Sequence, residues 1–344
     1  MKNYKSILFN GCLSLFFLNV NAQTIKTVVD SLVIYKTGSN KDTITKTGFG
    51  LLLMGGSKEV DTAFSWFLQQ SNGGDIVVLR ASGADGYHAY FNSLAKTNSI
   101  TTFIVDTRAK AFLPQVAEAL QNAEAIFIAG GDQYRYVQYW KNSPIQTIIN
   151  QKLQQQEIPI GGTSAGLAIL GSFYFDAKEG SAISDTVLKQ PFHPTISIGK
   201  NDFIQAPFLQ HLITDSHYSQ RKRQGRHIVM MAQLAKEFPK IPIKGLGIDE
   251  ETAVCVDEKG NAAVVGKHQA YFLATIKAAE PEQMQHALPL NWIQNKKAVK
   301  TYAIKATTQL KWVFQLKKWQ PLQPLNAFYY FVENGNLLTY QTNP

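Results

Sequence analysis

Between residues 49 and 170 the chain alternates short, unbroken apolar runs with longer stretches in which apolar residues recur every three or four positions. The runs at 49–54, 75–81, 101–105, 125–129 and 158–160 are too short for helices and apolar almost throughout, as strands buried on both faces must be. The stretches between them have helical spacing. Val60, Phe64 and Phe67 follow a candidate N-cap at Ser57, and Tyr87, Tyr90, Phe91 and Leu94 repeat in the same way. Val116, Ala119 and Leu120 follow Pro114, Tyr136, Val137 and Trp140 come next, and 146–156 reads as a further helix. Strand and helix in regular alternation predict an α/β fold, a mostly parallel sheet with helices on both faces. In such sheets, sites gather at the carboxyl ends of the strands.

The alternation fails elsewhere. Residues 24–46 alternate apolar and polar positions and predict a strand or edge hairpin. Residues 171–200, with Pro191 and Pro194, predict loops around the site, and 227–238 predicts a helix. Residues 245–256 read as a strand interrupted by acids, with a hairpin turn at 258–261, a return at 262–265 and a further strand at 270–276. Beyond Ala278 comes a linker or short helix at 281–289, then strand-like aromatic pieces such as 311–314 and 328–331, which predict a small C-terminal β-rich appendage. An organisation into 1–22, 23–278 and 279–344 follows.

Composition changes the picture at the amino terminus. Lys2 and Lys5, the apolar run 7–20 and Val20-Asn21-Ala22 have the layout of a secretory signal peptide, 1–22, cleaved after Ala22, so export is expected. The apolar run is too short for a permanent span, and no other stretch predicts stable membrane insertion. Cys255 would then be the one remaining cysteine, set in an apolar strand and unable to form an internal disulfide. The net charge of +9 is spread over the chain, with clusters at Arg221-Lys222-Arg223, Lys296-Lys297 and Lys317-Lys318. For an exported protein this argues for solubility and acidic partners and against nucleic acid.

The chemistry centres on Gly162-Thr163-Ser164-Ala165-Gly166, which fits G-x-S-x-G between a predicted strand and a predicted helix over 165–170. The glycines allow strand and helix to approach closely, so that the Ser164 hydroxyl stands exposed at the turn. A serine nucleophile needs a base and an acid to orient that base. Of seven histidines, His217 stands out beside Asp215 and one helical turn before Arg221. Asp249, Glu250 and Glu251 are candidate acids, costly to bury unless paired. Oxyanion donors would be the N–H of Ala165 and one from Gly131 or Asp132. There is no H-E-x-x-H and no cysteine-rich spacing, so no metal or organic cofactor is expected.

Four motifs in order, Gly130-Gly131-Asp132-Gln133, Gly161 to Gly166, Asp215-Ser216-His217-Tyr218 followed by Arg221, Arg223 and Arg226, and Gly247 to Ala253, resemble the cyanophycinase branch of the S51 serine peptidases. The resemblance runs from about Gly48 to Ile276. It implies a flavodoxin-like, class I glutamine amidotransferase-like fold. It also implies that Ser164 attacks, His217 takes its proton and Glu250 holds the imidazole, with Gln133, Ser216, Arg221, Arg223 and Arg226 around the substrate. The implied substrate is a peptide or polyaspartate-type polymer, cyanophycin or β-aspartyl-arginine bonds, cut from an end; a homodimer is allowed. Ser216 stands where cyanophycinases commonly carry Gln, which leaves the nucleophile chemistry intact and opens the polymer specificity, with an aspartyl dipeptidase of the same family as an alternative; an inactive relative acting as a binding module is a separate one. A general esterase would place its acid before its histidine, and a glutaminase would carry cysteine at position 164.

Overall fold

The computed structural model describes residues 23–276 and 280–341. The expected signal peptide, 1–22, lies outside them. The fold is mixed α/β, with an 11-stranded and an 8-stranded sheet. In the middle of the larger sheet Ser99–Ile104, Asp75–Arg80, Ala125–Ile128, Ile160–Thr163 and Gly50–Met54 lie side by side and parallel. Leu51 and Leu53 pack into one apolar cluster while Leu52 and Met54 pack into another on the opposite face, which is why this run has no polar position. One face is covered by the helices Asp61–Gln70 and Tyr87–Leu94, where Phe64 and Phe91 meet Phe127. The other is covered by Pro114–Asn122, Gln133–Trp140 and Pro144–Gln155.

The expectation of one mostly parallel sheet holds for this middle and fails at both flanks. Leu32–Gly38 pairs antiparallel with Ser99–Ile104, and Thr252–Asp257 antiparallel with Gly50–Met54 and Asn261–Gly266. A second sheet has its own parallel core, Leu212–Asp215 beside Lys244–Ile248 and Phe173–Phe175, extended antiparallel by Gln269–Thr275. The stretch read as one acid-interrupted strand is two strands in two sheets, Lys244–Ile248 and Thr252–Asp257, with the acids at the crossover between them. The region 171–200 is not all loop, since Ser184–Lys189 is helical.

The segment after 278 is β-rich, and its strands extend both sheets. Val299–Lys305 pairs with Gln269–Thr275 along its length and with Phe328–Glu333, which pairs in turn with Asn336–Gln341. Trp312–Gln315 adds to Asn261–Gly266 in the larger sheet, and Trp312 meets Trp66 edge to face. Cys255 is fully buried in Thr252–Asp257, where burial pushes its thiol pKa up. No helix of the described residues is long and apolar enough to cross a membrane.

Candidate active site

Ser164 sits where Ile160–Thr163 ends and the helix Ala165–Ala168 begins. Its backbone is at φ 52°, ψ −110°, a combination an L-residue adopts only at a cost of about 1–3 kcal/mol. Close approach of main chains imposes it. A Cβ on Gly162 would lie 2.5 Å from the Gly166 carbonyl carbon, and one on Gly166 would lie 2.2 Å from Ile128 O. Along 158–170 Ser164 alone is not buried. The helix is one short turn, not the longer element expected over 165–170. Thr214 Oγ1 donates to Leu167 O and Ala168 O, at 3.1 and 3.3 Å, and closes its carbonyl end. A four-residue helix brings little dipole to the site; its first N–H, that of Ala165, has no intrahelical acceptor and is what it offers.

The Ser164 hydroxyl donates to His217 Nε2 at 2.7 Å, and His217 Nδ1 donates to Glu250 Oε1 at 2.6 Å. That donation fixes the tautomer and leaves Nε2 free to accept. Burial lowers the His217 pKa, the hydrogen bond to Glu250 counters in part, and the Arg221 and Arg223 charges push the same way as burial. The imidazole is therefore neutral at pH 7, as a base must be. The hydrogen bond from His217 holds the Glu250 carboxyl below its ordinary value, and Arg221 adds to this from 3.5 Å.

The three candidate acids separate by what they touch. Asp249 is buried and accepts from the N–H groups of Ser219 and Gln269, at 2.8 and 3.3 Å, so it ties loops together. Glu251 pairs with Lys267 at 3.3 Å. Glu250 alone of the three reaches the histidine. His88 is a core residue: Thr37 and Thr102 hydroxyls bond both ring nitrogens, and burial lowers its pKa to about 4.

The arginines differ in the same way. Arg221 is half-exposed beside Glu250. Arg223 Nη1 donates to Ser216 O at 2.9 Å and to its hydroxyl at 3.3 Å, so Ser216 and Arg223 bind each other. Arg226 does not line a pocket. It is 2% exposed, forks onto Asp215 and stacks on Phe175, because so deep a charge needs a full partner. Gly131 and Asp132 are exposed at the end of Ala125–Ile128; Asp132 caps Gln133–Trp140 by accepting from Tyr134 N at 3.0 Å. A Cβ on Gly130 would lie 3.5 Å from Ser164 Cβ, so this turn adjoins the serine. Gln133 Nε2 reaches Phe175 O at 3.5 Å. Sequence reasoning missed two contributors: Gln220, whose Oε1 accepts from Glu250 N at 2.9 Å, and the Gly55-Gly56 turn, whose carbonyls accept from His217 N and Glu251 N.

A strand-to-helix elbow at the carboxyl end of the parallel strands presents the Ser164 hydroxyl to the His217 imidazole. The chain belongs to peptidase family S51, whose profile matches residues 51–264. It is similar to the cyanophycinase of Trichormus variabilis, 26% identical over 172 residues, which cover 50% of each chain. It is also similar to the cyanophycinase of Synechococcus elongatus, 27% identical over 210 residues, 58% of this chain and 59% of that one. The chain thus spans only about half the length of the curated relatives it matches. A crystal structure of a peptidase from an acI-B1 Actinobacterium overlaps 76% of this chain and 96% of that one, at 14% identity and a TM-score of 0.48.

Proposed function

We propose that the protein is a serine exopeptidase acting on aspartyl peptides, of cyanophycin or β-aspartyl-arginine type, through an acyl-enzyme, and that it is exported after cleavage behind Ala22. One observation carries the reading: the unbroken chain of hydrogen bonds from Ser164 through His217 to Glu250. Ser164 Oγ attacks the scissile carbonyl while His217 Nε2 takes its proton, and Glu250 stabilises the imidazolium that forms. The negative oxygen accepts from Ala165 N–H and from the N–H of Gly131 or Asp132. The imidazolium then protonates the leaving amine, and water, deprotonated by the same nitrogen, releases the acid and restores the serine.

Arg221 favours acidic substrates, since a half-exposed guanidinium next to the site can hold a carboxylate by two hydrogen bonds. The neighbouring Arg223 and Ser216, already engaged with each other, shape the wall behind it. The test is incubation of purified protein and its Ser164→Ala variant with cyanophycin, β-Asp-Arg and α-aspartyl dipeptides, with product masses read side by side. Loss of hydrolysis in a folded variant supports the mechanism, and the substrate cut separates polymer from dipeptide activity. A buried Ser164 or a His217 turned away would have favoured a binding-module reading; Ser164 is half-buried and hydrogen-bonded to His217, which supports the enzymatic one.

A further inference from the structure

The turn Met54-Gly55-Gly56 is tied by three successive carbonyls to the three segments that carry the site. Met54 O accepts from Ser164 N at 3.0 Å, Gly55 O from His217 N at 2.8 Å and Gly56 O from Glu251 N at 3.0 Å. The end of one central strand thus sets the spacing of all three. At Gly56 there is a second constraint. Its φ is +99°, and a Cβ there would lie 2.5 Å from His217 Cε1, 2.6 Å from His217 Nε2 and 3.1 Å from Ser164 Cβ. A ring can usually swing away from such a contact. This one cannot do so without giving up the bonds it makes at both nitrogens, to Ser164 and to Glu250.

Resting on the Ser164–His217–Glu250 reading, we propose that Gly56 is a positioning residue, its bare Cα forming the wall against which the His217 imidazole rests within reach of the Ser164 hydroxyl. Any side chain at 56 displaces Nε2 from Oγ without touching the groups that hold substrate. The proposal concerns the rate of the chemical step, so it predicts a fall in kcat at unchanged KM.

The experiment labels the purified chain with a fluorophosphonate probe, which reports serine nucleophilicity without a peptide substrate, and compares Gly56→Ala with Gly73→Ala. Gly73 also has positive φ, +80°, but a Cβ there meets nothing nearer than 3.6 Å, so it carries the backbone cost alone. Gly56→Ala is expected to label about 100-fold more slowly, the scale of a misplacement of about 1 Å, while Gly73→Ala labels as wild type. Wild-type labelling of Gly56→Ala, with Ser164→Ala unlabelled, would overturn the proposal and spare the triad. Should Gly56→Ala fail to fold, Gly56→Ala combined with His217→Ala supplies the room the ring occupied and should fold, melting below His217→Ala only by about the backbone cost that Gly73→Ala shows; failure of that pair to fold would also overturn it. A wild-type chain that does not label at Ser164 overturns the triad reading and this proposal together.

Discussion

Arg226 holds Asp215 through two parallel hydrogen bonds, Nε to Oδ2 at 2.8 Å and Nη2 to Oδ1 at 2.5 Å, and both residues are buried. Asp215 Oδ1 also accepts from Ser216 N at 2.9 Å, so this fork fixes the main chain one residue before His217. A side chain that the family resemblance placed around the substrate locks the loop carrying His217 to the helix Gln224–Glu237.

Arg226→Ala is accordingly expected to cost about 3–5 kcal/mol of stability, the scale for leaving a buried charge unpaired. Urea denaturation at pH 7 measures it. A change below about 1 kcal/mol would mean that water reaches the pair.

The same fork makes stability depend on acid. Burial alone would raise the Asp215 pKa, but Arg226 and Arg223 outweigh it and hold the carboxyl below its ordinary 3.8. A depressed carboxyl contributes stability in full above its unfolded value and loses it as pH falls through the native one. The gap in stability between wild type and Arg226→Ala should therefore be widest near neutrality and narrow below about pH 4, where unfolded aspartate is already protonated. Denaturation midpoints at pH 7 and pH 3 decide this.

On the proposed mechanism, His217 would set the acid limb of activity. Its pKa lies below the ordinary 6.5, so kcat/KM should fall only once the pH drops beneath that value. Arg221→Gln removes a positive charge that disfavours the imidazolium and frees Glu250 to favour it. Both effects raise the His217 pKa, and the acid limb should move to higher pH. An Arg221 that only gripped substrate would change KM and leave the limb in place.

Gly166→Ala tests the elbow. With a carbonyl 2.2 Å from the new methyl, the turn must open, at a cost of about 1–3 kcal/mol. A lowered melting temperature together with lost hydrolysis is the expected result; an unchanged melt would show that the helix can slide away.

Removing residues 299–341 should leave Gln269–Thr275 an uncovered, largely buried-type edge and lead to aggregation, followed by light scattering. A monomeric, well-melting truncated chain would show that the tail's strands are dispensable to the sheets.

The central strands and their helices were legible in the sequence because burial on both faces leaves a periodicity that no polar residue interrupts, as in Leu51 to Met54. The elbow was legible because steric crowding at Gly162 and Gly166 admits no other residue type. Which acid served which purpose was not. Asp249, Glu250 and Glu251 are equivalent as a run of carboxylates, and they diverge because the chain changes sheets there, turning one toward loop N–H groups, one toward His217 and one toward Lys267. Pairing across long sequence separations also decided the antiparallel flanks, the burial of Arg226 and the closeness of Gly56 to the imidazole. Hydrophobic pattern and local sterics act over a few neighbouring positions and can be read from a string of residues; charge pairing and sheet partnership depend on which distant segments meet, and only the folded chain brings them together.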